Sequence, residues 1–133
     1  MARKKGKAPV VMIHGAFCGP WSLDGFRQKF EIAGYGVQVP ALRYHDGGPP
    51  ADALATTALA DYVEDIESEI DALDKAPILL GFSMGGLIAQ IIAAKREVAA
   101  LVTLATSSPW GVPPSTLFEI GAAQAMLLNA PAW

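Results

Sequence analysis

ILLGFSMGGLIAQ, residues 78–90, carries an apolar run through Gly81-Phe82-Ser83-Met84-Gly85-Gly86 into a second apolar segment. The residues before this motif are typical of a buried strand, and those after it are typical of a buried helix. In such a Gly-x-Ser-x-Gly turn the serine is held in a strained backbone conformation that exposes its oxygen, and the flanking glycines avoid collisions. The stretch therefore predicts a nucleophilic Ser83 at the carboxyl end of a strand and at a helix N-terminus. The alternative is a glycine-rich turn in which the serine is incidental.

Around this motif, strand-like and helix-like segments alternate along the chain. The strand-like segments are residues 9–13, 36–43, 78–82 and 98–106, and the helix-like segments are residues 22–34, 52–74, 84–95 and 116–129. The strands are apolar without alternation, which is typical of strands that are covered on both faces. This order predicts an α/β fold with a parallel sheet flanked by helices and joined by right-handed crossovers.

Length and composition restrict the class of protein. The chain has 133 residues, which predicts one domain, and only 17% of them are charged, which argues against disorder. The net charge of −3 gives no electrostatic support for nucleic-acid binding. The single cysteine, Cys18, excludes an internal disulfide, and no ligand spacing typical of a metal site is present. We therefore predict neither a metal nor a cofactor.

Hydropathy predicts the cellular location of the protein and the division of its chain into three segments. No apolar stretch reaches the ~18 residues that a membrane span needs, and the apolar run after the basic N-terminus is shorter than the core of a signal peptide. We therefore predict a cytoplasmic protein without a membrane span. Residues 1–8 are predicted to be a basic flexible tail, residues 9–112 the core, and residues 113–133 an apolar helical segment.

A second glycine-containing segment, His14-Gly15-Ala16-Phe17, follows the first predicted strand. Acyl transfer needs two N–H donors aimed at the developing oxyanion. The N–H of Met84, directly after the nucleophile, is the first predicted donor, and a loop beside it must supply the second. We predict the N–H of Ala16 for this role, with Phe17 as the alternative. His14 itself is predicted to be a structural hydrogen-bonding residue rather than a proton carrier.

Three segments resemble the α/β-hydrolase superfamily. HGAFCGPWSLDGF at residues 14–26 resembles the oxyanion loop of cofactor-free esterases and hydroxynitrile lyases, and VPALRYHD at residues 39–46 resembles a strand-end loop that often reads PDLRGHG. GFSMGG at residues 81–86 resembles the usual GHSMGG. The resemblance implies a serine hydrolase that cleaves small-molecule carboxylic esters through an acyl-enzyme on Ser83. It also implies that the helix within residues 113–133 forms a lid over the acyl pocket.

The general base has no clear position in this sequence. Members of the family supply an acidic residue and then a histidine after the serine, whereas only Glu97 and Glu119 are acidic after Ser83 and no histidine follows. The resemblance therefore implies a fold that lacks its C-terminal part and a weak or incomplete hydrolase. His14, His45 and Glu119 are the weak candidates for base or acid. In the family arrangement His45 lies two strand spacings, or about 10 Å, from Ser83, so a loop-anchoring role is preferred.

Two alternatives to ester hydrolysis stay open. Cyanohydrin cleavage needs a base and a cation in the pocket, and Lys95 lies at the far end of its predicted helix. A non-catalytic module for binding or self-assembly fits the missing acid and histidine. Because strand 98–106 would be an exposed hydrophobic edge, we predict a homo-oligomer formed through this strand or through helix 116–129.

Overall fold

The computed structural model describes residues 6–48, 52–109, 111–113, 116–118, 120–121 and 124. The described residues form the strands β1 (Val10–Ile13), β2 (Val37–Gln38), β3 (Ile78–Phe82) and β4 (Ala100–Leu104). They also form the helices α1 (Asp24–Ile32), α2 (Leu59–Asp71) and α3 (Met84–Ala93). Short 3-10 turns at Pro20–Leu23 and Asp52–Thr56 precede α1 and α2. The predicted alternation of strands and helices is confirmed.

The strands form one parallel sheet in the order β2-β1-β3-β4. β1 and β3 lie at its centre and pair along their length, so that Ile13 lies opposite Gly81. The strand predicted at residues 36–43 is shorter than expected, because β2 pairs with β1 only at Val37 and Gln38. Pro40 has no N–H to donate to the ladder, so the pairing ends before it.

Helices cover both faces of the sheet, as the apolar strands require. Successive side chains of β1 point to opposite faces, so this strand contributes to both cores. The core beneath α2 and α3 contains Val11, Ile13, Leu42, Tyr62, Val63, Ile66, Ile70, Leu79, Ile88, Ala89 and Ile92. The core on the α1 side contains Val10, Met12, Leu23 and Leu80, with Phe30 and Tyr35 packed against them. The predicted fold class, a parallel sheet flanked by helices, is confirmed.

The termini of the described chain differ in how they pack. Lys7, within the predicted basic tail, lies 4.4 Å from the centre of the Tyr35 ring. At the other end, Leu117 and Phe118 are helical and exposed. Most of the predicted helix at residues 116–129, including Glu119, lies outside the described residues. Among the residues that are described, no helix is both long and apolar enough to cross a bilayer.

Candidate active site

Ser83 occupies the turn between β3 and α3 in a strained backbone conformation, with φ 54° and ψ −121°. A positive φ at a residue other than glycine costs about 1–3 kcal/mol and persists only where the surroundings hold it. Here the Ser83 N–H donates to the Leu104 carbonyl at 3.0 Å, and its own carbonyl accepts from the N–H groups of Gly86 and Ser107 at 2.9 and 3.0 Å. The turn is therefore held from α3 and from the segment around β4.

Glycines flank Ser83 because neighbouring backbone approaches too closely for a side chain. A Cβ at Gly81 would lie 2.6 Å from the Gly86 Cα, and one at Gly85 would lie 2.5 Å from the His14 carbonyl oxygen. A Cβ at Gly86 would meet Thr106 Oγ1 at 2.5 Å. The three glycines thus let the start of α3 pack against β3, the β1 loop and the segment after β4.

The loop after β1 packs directly against Ser83. A Cβ at Gly15 would lie 3.0 Å from the Ser83 Cβ, so only glycine fits there without a shift. Ala16 follows half-buried, and Phe17 follows exposed with φ 63°. The N–H of Met84 stands at the first position of α3, where an amide has no intrahelical acceptor. Ser83, Met84 and the Ala16–Phe17 turn are therefore brought together by two neighbouring strands.

Residues with strained backbones follow each strand at the same edge of the sheet. Phe17, Tyr44, Ser83 and Ala105 have φ of 63°, 63°, 54° and 42°, and they follow β1, β2, β3 and β4 in turn. Residues other than glycine rarely adopt such backbone angles, and clusters of residues that do are typical of functional sites. The strain therefore marks the carboxyl edge of the sheet, where Ser83 lies, as the candidate site.

His14 is fully buried beneath the loop that follows β1, and both of its ring nitrogens are engaged. Its Nε2 accepts the Leu42 N–H at 3.1 Å, which assigns the proton to Nδ1, and Nδ1 donates to the Gly15 carbonyl at 2.8 Å. Burial lowers the pKa of His14 because it disfavours the imidazolium, and the nearby His45 lowers it further. His14 in this form links the β1 and β2 loops and has no nitrogen left to take the Ser83 proton.

The lowered pKa of His14 predicts an acid-sensitive fold. Below the ordinary pKa of 6.5 the unfolded chain binds a proton at His14 that the folded chain does not bind. The free energy of unfolding therefore falls as the pH drops below about 6.5, by at most ~1.4 kcal/mol per pH unit from this residue. Urea unfolding at pH 7.5, 6.0 and 5.0 measures the free energy of unfolding of the wild-type protein and of His14→Asn. Equal pH slopes for both proteins would contradict this origin.

His45 is held by its own loop and lies on the other side of β1 from Ser83 in the strand order. Its Nδ1–H donates to the Arg43 carbonyl at 3.0 Å, and its ring centre lies 5.6 Å from that of His14 and 5.9 Å from that of Tyr62. Arg43 in turn donates to both carboxylate oxygens of Asp65 on α2, at 2.6 and 2.5 Å. These contacts favour an anchoring role for His45 over proton transfer.

Two features of the site have no signal in the sequence. Gln90 Nε2 donates to Thr106 Oγ1 at 2.9 Å and to the Gly86 carbonyl at 3.2 Å, which ties α3 to the segment after β4. A cavity of about 320 Å³ also lies beside the loop that follows β1, between Phe17 and the loop that carries Tyr44 and His45. Both depend on contacts between segments far apart in sequence, so local patterns could not predict them.

Solved structures of hydrolases resemble this chain. A pyrethroid hydrolase from Sphingobium faniae is 26% identical, with a TM-score of 0.61 over 82% of this chain and 47% of its own. A monoacylglycerol lipase from Paleococcus ferrophilus is 22% identical, with a TM-score of 0.63 over 96% of this chain and 51% of its own. A thioesterase domain from the curacin biosynthetic pathway is 23% identical, with a TM-score of 0.69 over 95% of this chain and 48% of its own.

The last two structures, at under 25% identity, show the fold alone. The chain spans about half the length of each of the three structures. No curated protein sequence matches it significantly. A family model described as "Alpha/beta hydrolase family" matches residues 10–133, nearly the whole chain. The chain therefore belongs to the alpha/beta hydrolase family.

Proposed function

We propose that the chain is a serine hydrolase that cleaves carboxylic esters through an acyl-enzyme on Ser83. The observation that carries the proposal is the strained Ser83 turn, with φ 54° and ψ −121°, packed at the start of α3 through Gly81 and Gly85. Such a strained turn costs folding free energy, and it presents the oxygen beside a helix N-terminus that favours negative charge. The name of the similar pyrethroid hydrolase, at 26% identity, supports the same reaction class.

In the proposed reaction, Ser83 Oγ attacks the ester carbonyl carbon, and the carbonyl electron pair moves onto oxygen. The N–H groups of Met84 and Ala16, with Phe17 as the alternative donor, stabilise this oxyanion. The Ser83 proton goes to a base, and the tetrahedral intermediate then collapses with protonation and release of the alcohol. Water hydrolyses the acyl-enzyme in the second half of the reaction.

The proton acceptor limits this activity. No histidine follows Ser83 in the sequence, His14 has both nitrogens engaged, and His45 lies beyond β1. Removal of the histidine from a complete triad costs roughly 10⁶ in turnover and leaves about 10³–10⁴ over water. We therefore propose a weak hydrolase in which neither His14 nor His45 takes the proton, with Glu119 left as the weak candidate of the sequence.

A fluorophosphonate probe tests the proposal, because it phosphonylates nucleophilic serines. We expect slow labelling of Ser83, located by peptide mass spectrometry, and no labelling of Ser83→Ala. Ser107→Ala is the matched control, since Ser107 contacts Ser83 only through its backbone N–H. Labelling of Ser83→Ala at the wild-type rate, or no labelling of the folded wild-type protein over many hours, would refute the proposal.

A second candidate, a binding or self-assembly module, is favoured by the position of β4. Among the described strands β4 pairs with β3 alone, and its Leu101 and Val102 are 40% and 36% exposed. Flat apolar edge strands pair readily with other chains unless charge or bulges protect them. We propose that two copies of this chain pair through β4, which is compatible with either function.

Pairing through β4 predicts a dimer of the 14.0 kDa chain at micromolar concentration. Val102→Lys is expected to give a monomer, because a lysine at a strand edge opposes pairing. Ile32→Lys, at an exposed apolar position of α1, is the control and is expected to remain dimeric. Size-exclusion chromatography with light scattering measures each mass. A wild-type monomer, or a dimeric Val102→Lys, would contradict pairing through β4.

A further inference from the structure

The bend that follows β4 bonds both backbone polar groups of Ser83. The Leu104 carbonyl accepts the Ser83 N–H at 3.0 Å, and the Ser107 N–H donates to the Ser83 carbonyl at 3.0 Å. Between these two partners, Ala105 has φ 42°, an angle that residues other than glycine rarely adopt. The strained bend therefore lets one short segment hold the Ser83 backbone on both sides.

The Ser83 carbonyl fixes the direction of the amide that follows it. Gly86, Leu87 and Ser107 all donate to this carbonyl, at 2.9, 3.3 and 3.0 Å. The first two bonds form within the start of α3, whereas the Ser107 N–H comes from outside the helix. The Ser83 carbonyl and the Met84 N–H belong to one planar trans peptide, so they point in opposite directions. A contact that orients this carbonyl therefore also orients the Met84 N–H.

Thr106 fastens the bend to α3 through its hydroxyl group. Its Oγ1 accepts from Gln90 Nε2 at 2.9 Å and donates to the Ser107 carbonyl at 3.1 Å. Gln90 Nε2 also donates to the Gly86 carbonyl at 3.2 Å, so both of its acceptors require the amide nitrogen at this position. Thr106 lies this close to α3 because Gly86 has no side chain, since a Cβ there would lie 2.5 Å from Oγ1. The Gln90–Thr106 contact therefore joins α3 to the residue before Ser107.

We propose that Thr106 and Gln90 are positioning residues for the reaction at Ser83. They hold the bend after β4 on α3, and the Ser107 N–H of that bend holds the Ser83–Met84 peptide with its N–H turned toward the oxyanion. The inference rests on the proposed ester hydrolysis, in which the Met84 N–H is a donor. Loss of a whole oxyanion donor costs about 10²–10³ in turnover, so a donor that is present but less well oriented costs less.

The rate of Ser83 acetylation by 4-nitrophenyl acetate tests the proposal in two variants. Thr106→Val keeps the branched shape of the side chain and deletes the hydroxyl, and Gln90→Met keeps the length and deletes the amide. Each is expected to lower the rate about three- to tenfold. Neither residue belongs to a core cluster, so we expect both variants to fold. Thr106→Ser keeps the hydroxyl and is expected to react at the wild-type rate.

Two further comparisons separate positioning from a general loss of stability. Because the two side chains act through one contact, the double variant is expected to lose no more than the larger single effect. Thr57→Val is the matched control, since its hydroxyl donates to the Ala53 carbonyl at 2.8 Å in the segment that leads into α2. This control is expected to react at the wild-type rate.

The acetyl carbonyl of the acyl-enzyme reports on the oxyanion donors. Hydrogen bonds to a carbonyl oxygen lower its infrared stretching frequency, whereas a loss of stability alone leaves it unchanged. An acetyl group labelled with ¹³C at this carbonyl is therefore expected to absorb at a higher frequency in Thr106→Val and Gln90→Met than in the wild-type protein. Hydrogen exchange of the Ser107 amide, followed by NMR, is expected to be faster in the same two variants.

The inference and the proposed function can fail separately. Wild-type acetylation rates in the two folded variants, an unchanged carbonyl frequency, or a Thr106→Ser protein as slow as Thr106→Val would overturn the inference and keep the hydrolase. A wild-type protein that is never acetylated at Ser83 would remove the hydrolase and the role in its reaction. The Ser107 amide then still tests whether Thr106 and Gln90 hold the bend, because wild-type exchange in both variants would refute this.

Discussion

Replacement of Gly85 by alanine is expected to lower the free energy of unfolding by about 3 kcal/mol or more. The added Cβ would lie 2.5 Å from the His14 carbonyl oxygen, and backbone cannot move aside as the end of a flexible side chain can. To relieve the clash, α3 must move away from β1 and carry Ser83 with it. Urea unfolding followed by circular dichroism measures the loss.

Gly25→Ala is the matched control for this prediction. Gly25 lies in α1, and a Cβ there would meet nothing within 4 Å. Alanine is favoured over glycine in a helix by up to ~1 kcal/mol, so this variant is expected to be as stable as the wild-type protein or more stable. Equal stability changes in the two variants would show that the close approach at Gly85 does not restrain the turn.

Added imidazole is expected to raise the Ser83-dependent turnover of an activated ester by up to about 10²-fold, the lower end of what a positioned base supplies. A general base positioned by a protein contributes roughly 10²–10⁴, free imidazole lacks that positioning, and neither His14 nor His45 supplies it to Ser83. The measurement is release of 4-nitrophenol from 4-nitrophenyl acetate. Because imidazole also cleaves this ester by itself, the rate with Ser83→Ala at the same imidazole concentration is subtracted. Equal rates for the two proteins at every imidazole concentration would contradict the role of Ser83.

The sequence predicted the elements whose formation depends on local pattern. The helix predicted at residues 52–74 is present as α2 (Leu59–Asp71), with its first turns replaced by a 3-10 turn at Asp52–Thr56. The Ala58 N–H donates to the Asp61 carboxylate at 2.7 Å, which fixes the later start of the helix. The strand predicted at residues 98–106 is present as β4 (Ala100–Leu104), and its pairing with β3 sets its shorter length.

The candidate site was only partly predictable, because some of its features depend on contacts between distant segments of the chain. Ser83, Met84 and the Ala16–Phe17 turn carry their signals in short motifs, since each follows a strand directly. The engaged state of His14 depends on the Leu42 N–H, 28 residues away, and the cavity depends on three loops meeting. A pattern within one segment cannot predict contacts between residues that lie so far apart in the sequence. The role of Glu119 stays a prediction, because it lies outside the described residues.

The central claim, that Ser83 is a nucleophile toward esters, is tested most directly by the mass of the protein after reaction with 4-nitrophenyl acetate. Because neither His14 nor His45 is placed to act as a base, we expect hydrolysis of the acyl-enzyme to be slow and the intermediate to accumulate. We predict an increase by the mass of one acetyl group, located on Ser83 by fragmentation and lost when the protein is incubated with imidazole. Acetyl groups only on lysines, or equal acetylation of Ser83→Ala, would contradict the claim.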